Sequence, residues 1–453
     1  MESPWYSKMA SWEYDTIVAL VTAALAAGNA TVFRRSGNEY DAKPMNCITL
    51  HYGADDPLIL EVEEGAVVAN CVGPEGVKGI EARTLVAAAL SRPLEGPSLQ
   101  SHAVPGDRVV VALAGELPQA REAVAALMDQ LVAAGVARDT IGLLRAECLE
   151  PTAARQSFKT PADPAGVCDA GLIEFDPATD ADTAYLAADE EGRPLYLARP
   201  LVDADVVVAV GSWSYNAALG GRSLEGELWP TFSRHASRHD LLRCLAKRGR
   251  RALAAWRANM QEIAWQLGVA TSLRLVAGRG NSLAAATFGL PDVAARQARA
   301  QAAAWSPKIS GPAMLAICSL AHPQAGCMSL IRGVAAAARV TQPAGTICIA
   351  SRLTEQPGLI FSRWRQGAPL EAIVREAIGT GDRALIADAL QTRLFARAIG
   401  DRRLVLLSDL EEGQVEDLEF GYAATPEVVE RLAHRSDSLV VLHEADQMFP
   451  RLA

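Results

Sequence analysis

This chain of 453 residues is long enough for two or three domains of about 100–200 residues each. Half of its residues are hydrophobic but only 6% are aromatic, so the core is aliphatic, as in α/β proteins with buried parallel strands. A formal net charge of −10 argues against a nucleic-acid partner, which would call for a basic face.

Residues 1–42 read as an N-terminal extension. Thr16 to Ala27 is apolar, but Glu13 and Asp15 precede it where an export signal carries a basic region. It is also shorter than the roughly 20 residues of a spanning helix. It is therefore read as a helical extension, with an export signal as the alternative and no membrane segment expected.

Cys47–His51 and Leu58–Glu64 read as two short strands parted by the Asp55-Asp56-Pro57 turn, the second alternating Leu58, Leu60 and Val62. Ile80–Leu90 reads as a helix bounded by Arg92-Pro93 and Gly96-Pro97. Asp107–Ala114 is a buried strand and Gln119–Ala134 an amphipathic helix with Val124, Leu127, Leu131 and Val132 on one side. Gly135 supplies its left-handed cap, and Asp139–Leu144 is the next strand, expected parallel to the first.

Thr152–Glu191 is polar and irregular. Its acids Asp180, Asp182, Asp189, Glu190 and Glu191 suit a solvated connection, with a carboxylate metal site as the alternative. The sheet is expected to resume at Tyr196–Ala198 and Ala204–Val210. Asp240–Leu267 reads as one or two helices that close the first domain. Its basic run from Arg243 to Arg257 reads as a solvated face, with an anion or partner site as the alternative.

A second α/β pattern starts at Leu273–Val276. Strands are expected at Leu315–Leu320, Thr346–Ser351, Arg403–Ser408 and Ser438–His443. Helices alternate with them at Val293–Ala304, Met328–Arg339, Leu370–Ile378, Arg383–Ala398 and Pro426–His434. The expected organisation is an extension (1–42), an N-terminal α/β domain (43–258) and a C-terminal α/β domain (259–453), with a cleft between two layered domains.

The eight cysteines, Cys47, Cys71, Cys148, Cys168, Cys244, Cys318, Cys327 and Cys348, form no CxxC pair, and two of them sit in apolar runs. They read as small buried hydrophobes in a reducing cytoplasm, with neither a disulfide framework nor a structural zinc site. No GxSxG or HExxH motif occurs. Gly220-Gly221-Arg222-Ser223 offers backbone N–H groups to an anion but lacks a P-loop Lys-Thr step. Gly278-Arg279-Gly280-Asn281 reads as a turn, with a phosphate loop as the alternative.

The richest stretch is Pro200–Pro230, PLVDADVVVAVGSWSYNAALGGRSLEGELWP, an apolar strand that opens at Gly211 into a polar loop. Ligands of open α/β sheets sit at such carboxyl ends. This framework resembles the nickel-dependent lactate racemase family. So do PGDRVVVALAGELPQAREAVAALMDQLVAAGV, ARVTQPAGTICIASRLTEQPGL and LLSDLEEGQVEDLEFGYAATPEVVERL, in the family's order from about Cys47 onward.

The resemblance implies two α/β domains around a cleft. It also implies interconversion of the two hands of a 2-hydroxy acid through a nickel pincer nucleotide tethered to a Lys. Such chemistry needs an imidazole on the metal, a covalent anchor, two general bases and cations for the substrate carboxylate. Placing Pro230 on the family's proline puts its first His on Asn216, its tether Lys on Gly226 and its nickel-ligand His on Leu242.

The family's Asp-x-Thr-Arg-Pro loop falls on Ala114-Gly115-Glu116-Leu117-Pro118. Its Thr-Gly-x-His-Arg loop falls on Glu147-Cys148-Leu149-Glu150-Pro151, so Leu149 and Glu150 stand where a catalytic base belongs. Its Tyr-Gln and Lys near the substrate fall on about Ser329, Leu330 and Gly333. Trp364 matches a family Trp, with core packing as the alternative.

The expectation is therefore a racemase fold without racemase chemistry, carrying no cofactor or metal and binding a small carboxylate. Arg222, Arg234, Arg238 and Trp364 are the ligand candidates. His235 and His239, four apart on a helix, are weak metal candidates among Arg234, Arg238 and Arg243. Two alternatives stand: an active 2-hydroxy acid racemase with a site shifted to Arg222, His235 and His239, and a regulatory or partner-binding protein.

Overall fold

The computed structural model describes residues 45–53, 57–146, 172–189, 192–224, 226–322 and 325–453. The extension, with its apolar Thr16–Ala27 stretch, and the Leu149 and Glu150 positions lie outside the described residues. Among those residues no helix is long and apolar enough to cross a membrane.

Two six-stranded sheets organise the chain. The first runs Ser282–Gly289, Thr271–Gly278, Val206–Ser212, Val109–Ala114, Ile141–Ala146, Leu172–Glu174. Its strands are parallel except for Ser282–Gly289, which returns antiparallel along its neighbour. The second runs Gly421–Tyr422, Arg403–Leu407, Thr341–Ala350, Ala313–Ser319, Leu439–Leu442, Val67–Cys71, all parallel.

Side chains alternate across a strand. Val109 and Val111 thus point to one face of the first sheet, packing with Val86, Leu127, Leu131 and Leu275. Val110, Ala112 and Ala114 point to the other, into a core that continues without a break to Ala316, Cys318 and Ile347 of the second sheet. Both central strands are wholly buried, which is why they read as aliphatic runs.

Most expected elements are present. The helices Ile80–Leu90 and Ala120–Ala133 stand where the apolar spacing places them, and Gly135 follows at φ +89°. Val132, expected on the apolar side, is 37% exposed. The two helices of the basic run are His235–Arg248 and Leu253–Gln266, with Arg243, Lys247 and Arg248 exposed. The first strand pair forms the antiparallel Met45–His51/Pro57–Glu63 hairpin, its Leu58, Leu60 and Val62 buried against the second sheet.

Two expectations are corrected. The boundary after residue 258 does not divide the sheets: Thr271–Gly278 and Ser282–Gly289 complete the first sheet, while Val67–Cys71 completes the second. The chain enters the second sheet with one strand and leaves the first sheet only after residue 289. Pairing between distant strands, which no local pattern records, sets that membership. The second correction concerns Tyr196–Ala198. Pro194–Ala198 pairs with Thr183–Ala188 in a separate two-stranded ribbon rather than resuming the main sheet.

Candidate functional site

The carboxyl ends of the two sheets face each other, and the loops leaving them touch. The loop after Val206–Ser212 is the one that carries the family resemblance. Trp213 and Tyr215 are buried edge to face, with centroids 4.8 Å apart, and Tyr215 stacks on Phe449 near the C-terminus. Asn216 is fully buried in the Tyr215–Asn216/Gly221–Arg222 hairpin, where its Oδ1 accepts from Leu219 N at 3.0 Å. This amide holds a turn rather than facing a cleft.

The position of the family's tether Lys is closed. Gly226 has φ +86°, and a Cβ there would lie 2.8 Å from Ser212 O and 3.1 Å from Gly211 Cα. Its carbonyl accepts from Arg274 Nη1 at 2.7 Å. Arg274 is buried at the base of the loop, its other Nη 3.9 Å from Glu227 Oε2. Burial pulls the Arg274 pKa down, the Glu227 charge opposes that, and Arg222 adds to it. Glu227 also pairs with Arg222, whose carbonyl accepts from Arg257 Nη2 at 2.6 Å. Three guanidiniums and one carboxylate thus fill the space beneath the loop.

The other sequence-derived positions are likewise packed against neighbours. Leu242 is buried in the common core. Ala114 is buried and Leu117 packs on the first sheet's outer cluster. Leu330 is core, and a Cβ at Gly333 would meet Leu320 Cδ2 at 2.7 Å.

Among the ligand candidates, Arg222 spends its charge on Glu227. Arg234 donates to Thr183 Oγ1 at 2.8 Å and lies 3.4 Å over the Tyr196 ring, and Arg238 is buried. Trp364 packs in an aromatic cluster with Phe361 and Phe395. His235 and His239 share one helix, but His235 meets Arg383 Nη1 at 2.9 Å, a cationic neighbour unsuited to a metal ligand. Among the described residues no group of three or more His, Cys, Asp or Glu is placed to hold a metal ion. The residues at these positions do not fit a tethered nickel pincer nucleotide: the anchor site has no room, and the ligand position is a core leucine.

A second group, absent from the sequence reading, lies where the sheet ends meet. His443, Glu444 and Asp446 follow the Leu439–Leu442 strand directly. Glu444 Oε1 accepts from Gly280 N at 2.8 Å, across from the turn after Thr271–Gly278, and its own N–H donates to Ser319 Oγ at 3.1 Å. Its Oε2 is buried with no hydrogen-bond partner. Asp446 Oδ1 accepts from Ala321 N at 2.8 Å, and His443 Nε2 lies 2.9 Å from Asn70 Oδ1. Arg279 pairs with Glu75 at 2.6 Å on the same turn.

Burial pushes the Glu444 carboxyl up to about 7, aided by Asp446 and opposed by Gly280 N–H, Arg279 and Lys78. Burial, with Arg279 and His51, pulls His443 down to about 4. A carboxyl raised toward neutrality can give or take a proton near pH 7. The signal available in the sequence was acidic and imidazole groups just past the end of a buried strand.

The raised Glu444 value has a testable consequence. The folded state holds this proton up to about pH 7, whereas the unfolded carboxyl releases it near 4.5. Its contribution to stability is fully present below the lower value and is lost as pH rises through the upper one. Relative to Glu444→Gln, the wild type should therefore lose stability from pH 4.5 to 7, by at most about 1.4 kcal/mol per pH unit, and then level off. His443 titrates in both proteins and cancels in the difference. Parallel urea midpoints across this range would exclude a raised Glu444 if the difference stays flat.

Comparison with known proteins agrees with the fold. The lactate racemase N-terminal domain family matches residues 52–221. The lactate racemase apoprotein from Thermoanaerobacterium thermosaccharolyticum is 17% identical with a TM-score of 0.69, covering 89% of this chain and 100% of that one. A protein from Thermotoga maritima is 10% identical with a TM-score of 0.56, covering 84% of this chain and all of its own. No curated protein sequence matches. Residues 52–221 are thus similar to the lactate racemase N-terminal domain, and the chain shares the α/β fold of the lactate racemase apoprotein.

Proposed function

We propose that this protein is a non-racemising member of the lactate racemase-like group that binds a small carboxylate at the facing sheet ends. The observation that carries the first half is Gly226. A covalent tether needs a side chain where the backbone turns left-handed and touches Gly211 and Ser212. Lys78 and Arg279 support the second half, as the cations whose charge reaches Glu444, the carboxyl poised to exchange a proton with a 2-hydroxy acid.

The test is co-expression with pincer-nucleotide synthesis enzymes, followed by intact mass, nickel content and chiral analysis of lactate. Unmodified mass, no stoichiometric nickel and no interconversion are expected. A mass adduct with nickel would overturn the reading. Titration with small 2-hydroxy acids should give binding that Lys78→Gln and Arg279→Gln weaken, and unchanged affinity in both variants would remove the carboxylate half.

A further inference from the structure

A cavity of about 390 Å³ is lined by Tyr215, Arg296, Arg299, Ala300, Ala303, Ser306, Lys308 and Arg451, and Glu444 is not among its walls. Its size falls within the usual range for small-ligand sites. Four of the eight lining residues are cations and none is a carboxylate, in a chain whose net charge is −10.

The cations are placed in two like-charged pairs. Arg296 and Arg299 are three residues apart on the helix Pro291–Gln301, a spacing that brings side chains together. Lys308 and Arg451 are register partners in the short parallel pair Lys308–Ile309/Arg451–Leu452. Like charges in such positions destabilise a helix or a strand pair. Some exposed arginines elsewhere take carboxylate partners, as Arg83 does with Asp129, Arg352 with Asp409 and Arg363 with Glu376. None of the four lining cations is in an ion pair among the described residues.

The cavity is also held in shape. Arg451 Nε donates to Ser306 Oγ at 2.9 Å, and Ser306 Oγ donates to Phe449 O at 2.7 Å. The Tyr215 wall is clamped between Trp213 and Phe449. Arg451 therefore presents its remaining guanidinium nitrogens from a fixed position.

We propose that this cavity binds a small polyanion carrying two or more phosphate or carboxylate groups. The guanidinium forks match either oxyanion geometry, and one multiply charged ligand would relieve both like-charge pairs at once. The site shares no cation with the Glu444 region, so it stands or falls independently of the function proposed above.

The test is calorimetric titration of the full chain with inorganic pyrophosphate and, separately, with citrate. Arg299→Gln and Lys308→Gln are the site variants, and Lys247→Gln/Arg248→Gln on the exposed helix face is the control. Saturable binding is expected that weakens about tenfold or more in each site variant and falls with added salt, while the control binds like the wild type. Pyrophosphate alone binding would mark a phosphate ligand, and citrate alone a polycarboxylate; either supports the site. Equal weakening in the control, unchanged affinity in the site variants, or binding of neither anion would overturn it.

Discussion

Gly226→Ala is expected to destabilise the protein by about 3 kcal/mol, and Gly226→Lys to prevent folding rather than restore a tether. Gly226 sits at φ +86°, where an L residue costs roughly 1–2 kcal/mol. The added Cβ would also press on Ser212 O, Gly211 Cα and Arg274 Nη1, at 2.8, 3.1 and 3.0 Å. Two of these contacts are backbone and the third is a buried guanidinium, so none yields easily. Overpacking of that kind adds about 1–3 kcal/mol. Gly221→Ala, with nothing near its Cβ and no positive φ, is the control for the same loop. Urea midpoints at unchanged m compare them. A Gly226→Ala protein as stable as Gly221→Ala would show that the loop has room to move and that the anchor position is open.

The second large effect is expected at Glu227. Its carboxylate is the charge facing both Arg222 and the buried Arg274. Arg222 can turn to water, being about a quarter exposed, but Arg274 cannot. Removing one partner of a buried pair leaves an uncompensated charge and typically costs about 3–5 kcal/mol. Glu227→Gln should fall near the lower end, since its amide oxygen keeps a dipole toward the arginines. Arg274→Met/Glu227→Gln should be closer to the wild type than Glu227→Gln alone, with a coupling of about 1–3 kcal/mol. Additive losses in this cycle would mean that the two groups do not act on each other.

The same cluster accounts for the composition of the loop. Its polar and glycine residues arise because a tight left-handed turn and a buried ionic group occupy the carboxyl end of the strand. A racemase would place its anchor and first histidine there. The residues themselves are legible in the sequence, since a glycine cannot anchor a cofactor and an asparagine cannot serve as a base. The closure of the space is not, because it depends on Arg274, which comes from another strand 48 positions away.

The cysteines show a similar division. Their apolar settings predict burial, and Cys71, Cys318, Cys327 and Cys348 are buried, with thiol pKa values raised by loss of water. Cys47 and Cys244 are not buried. Cys47 lies on an exposed position of a hairpin whose alternation is visible in the sequence.

What the sequence determined by itself was element type and order. Short aliphatic runs bounded by turn signals mark buried strands, helical spacing of apolar residues marks their covers, and the order of framework segments points to the racemase fold. It also determined which side chains stand at the family's reactive positions. Only the tertiary structure decided which sheet each strand joins, that Glu227 is shared between Arg222 and Arg274, and that Glu444 meets Gly280. It likewise decided that Arg296, Arg299, Lys308 and Arg451 surround one cavity. These are contacts between residues far apart in the chain, set by strand pairing and by what must be covered from water, and local patterning carries no record of them.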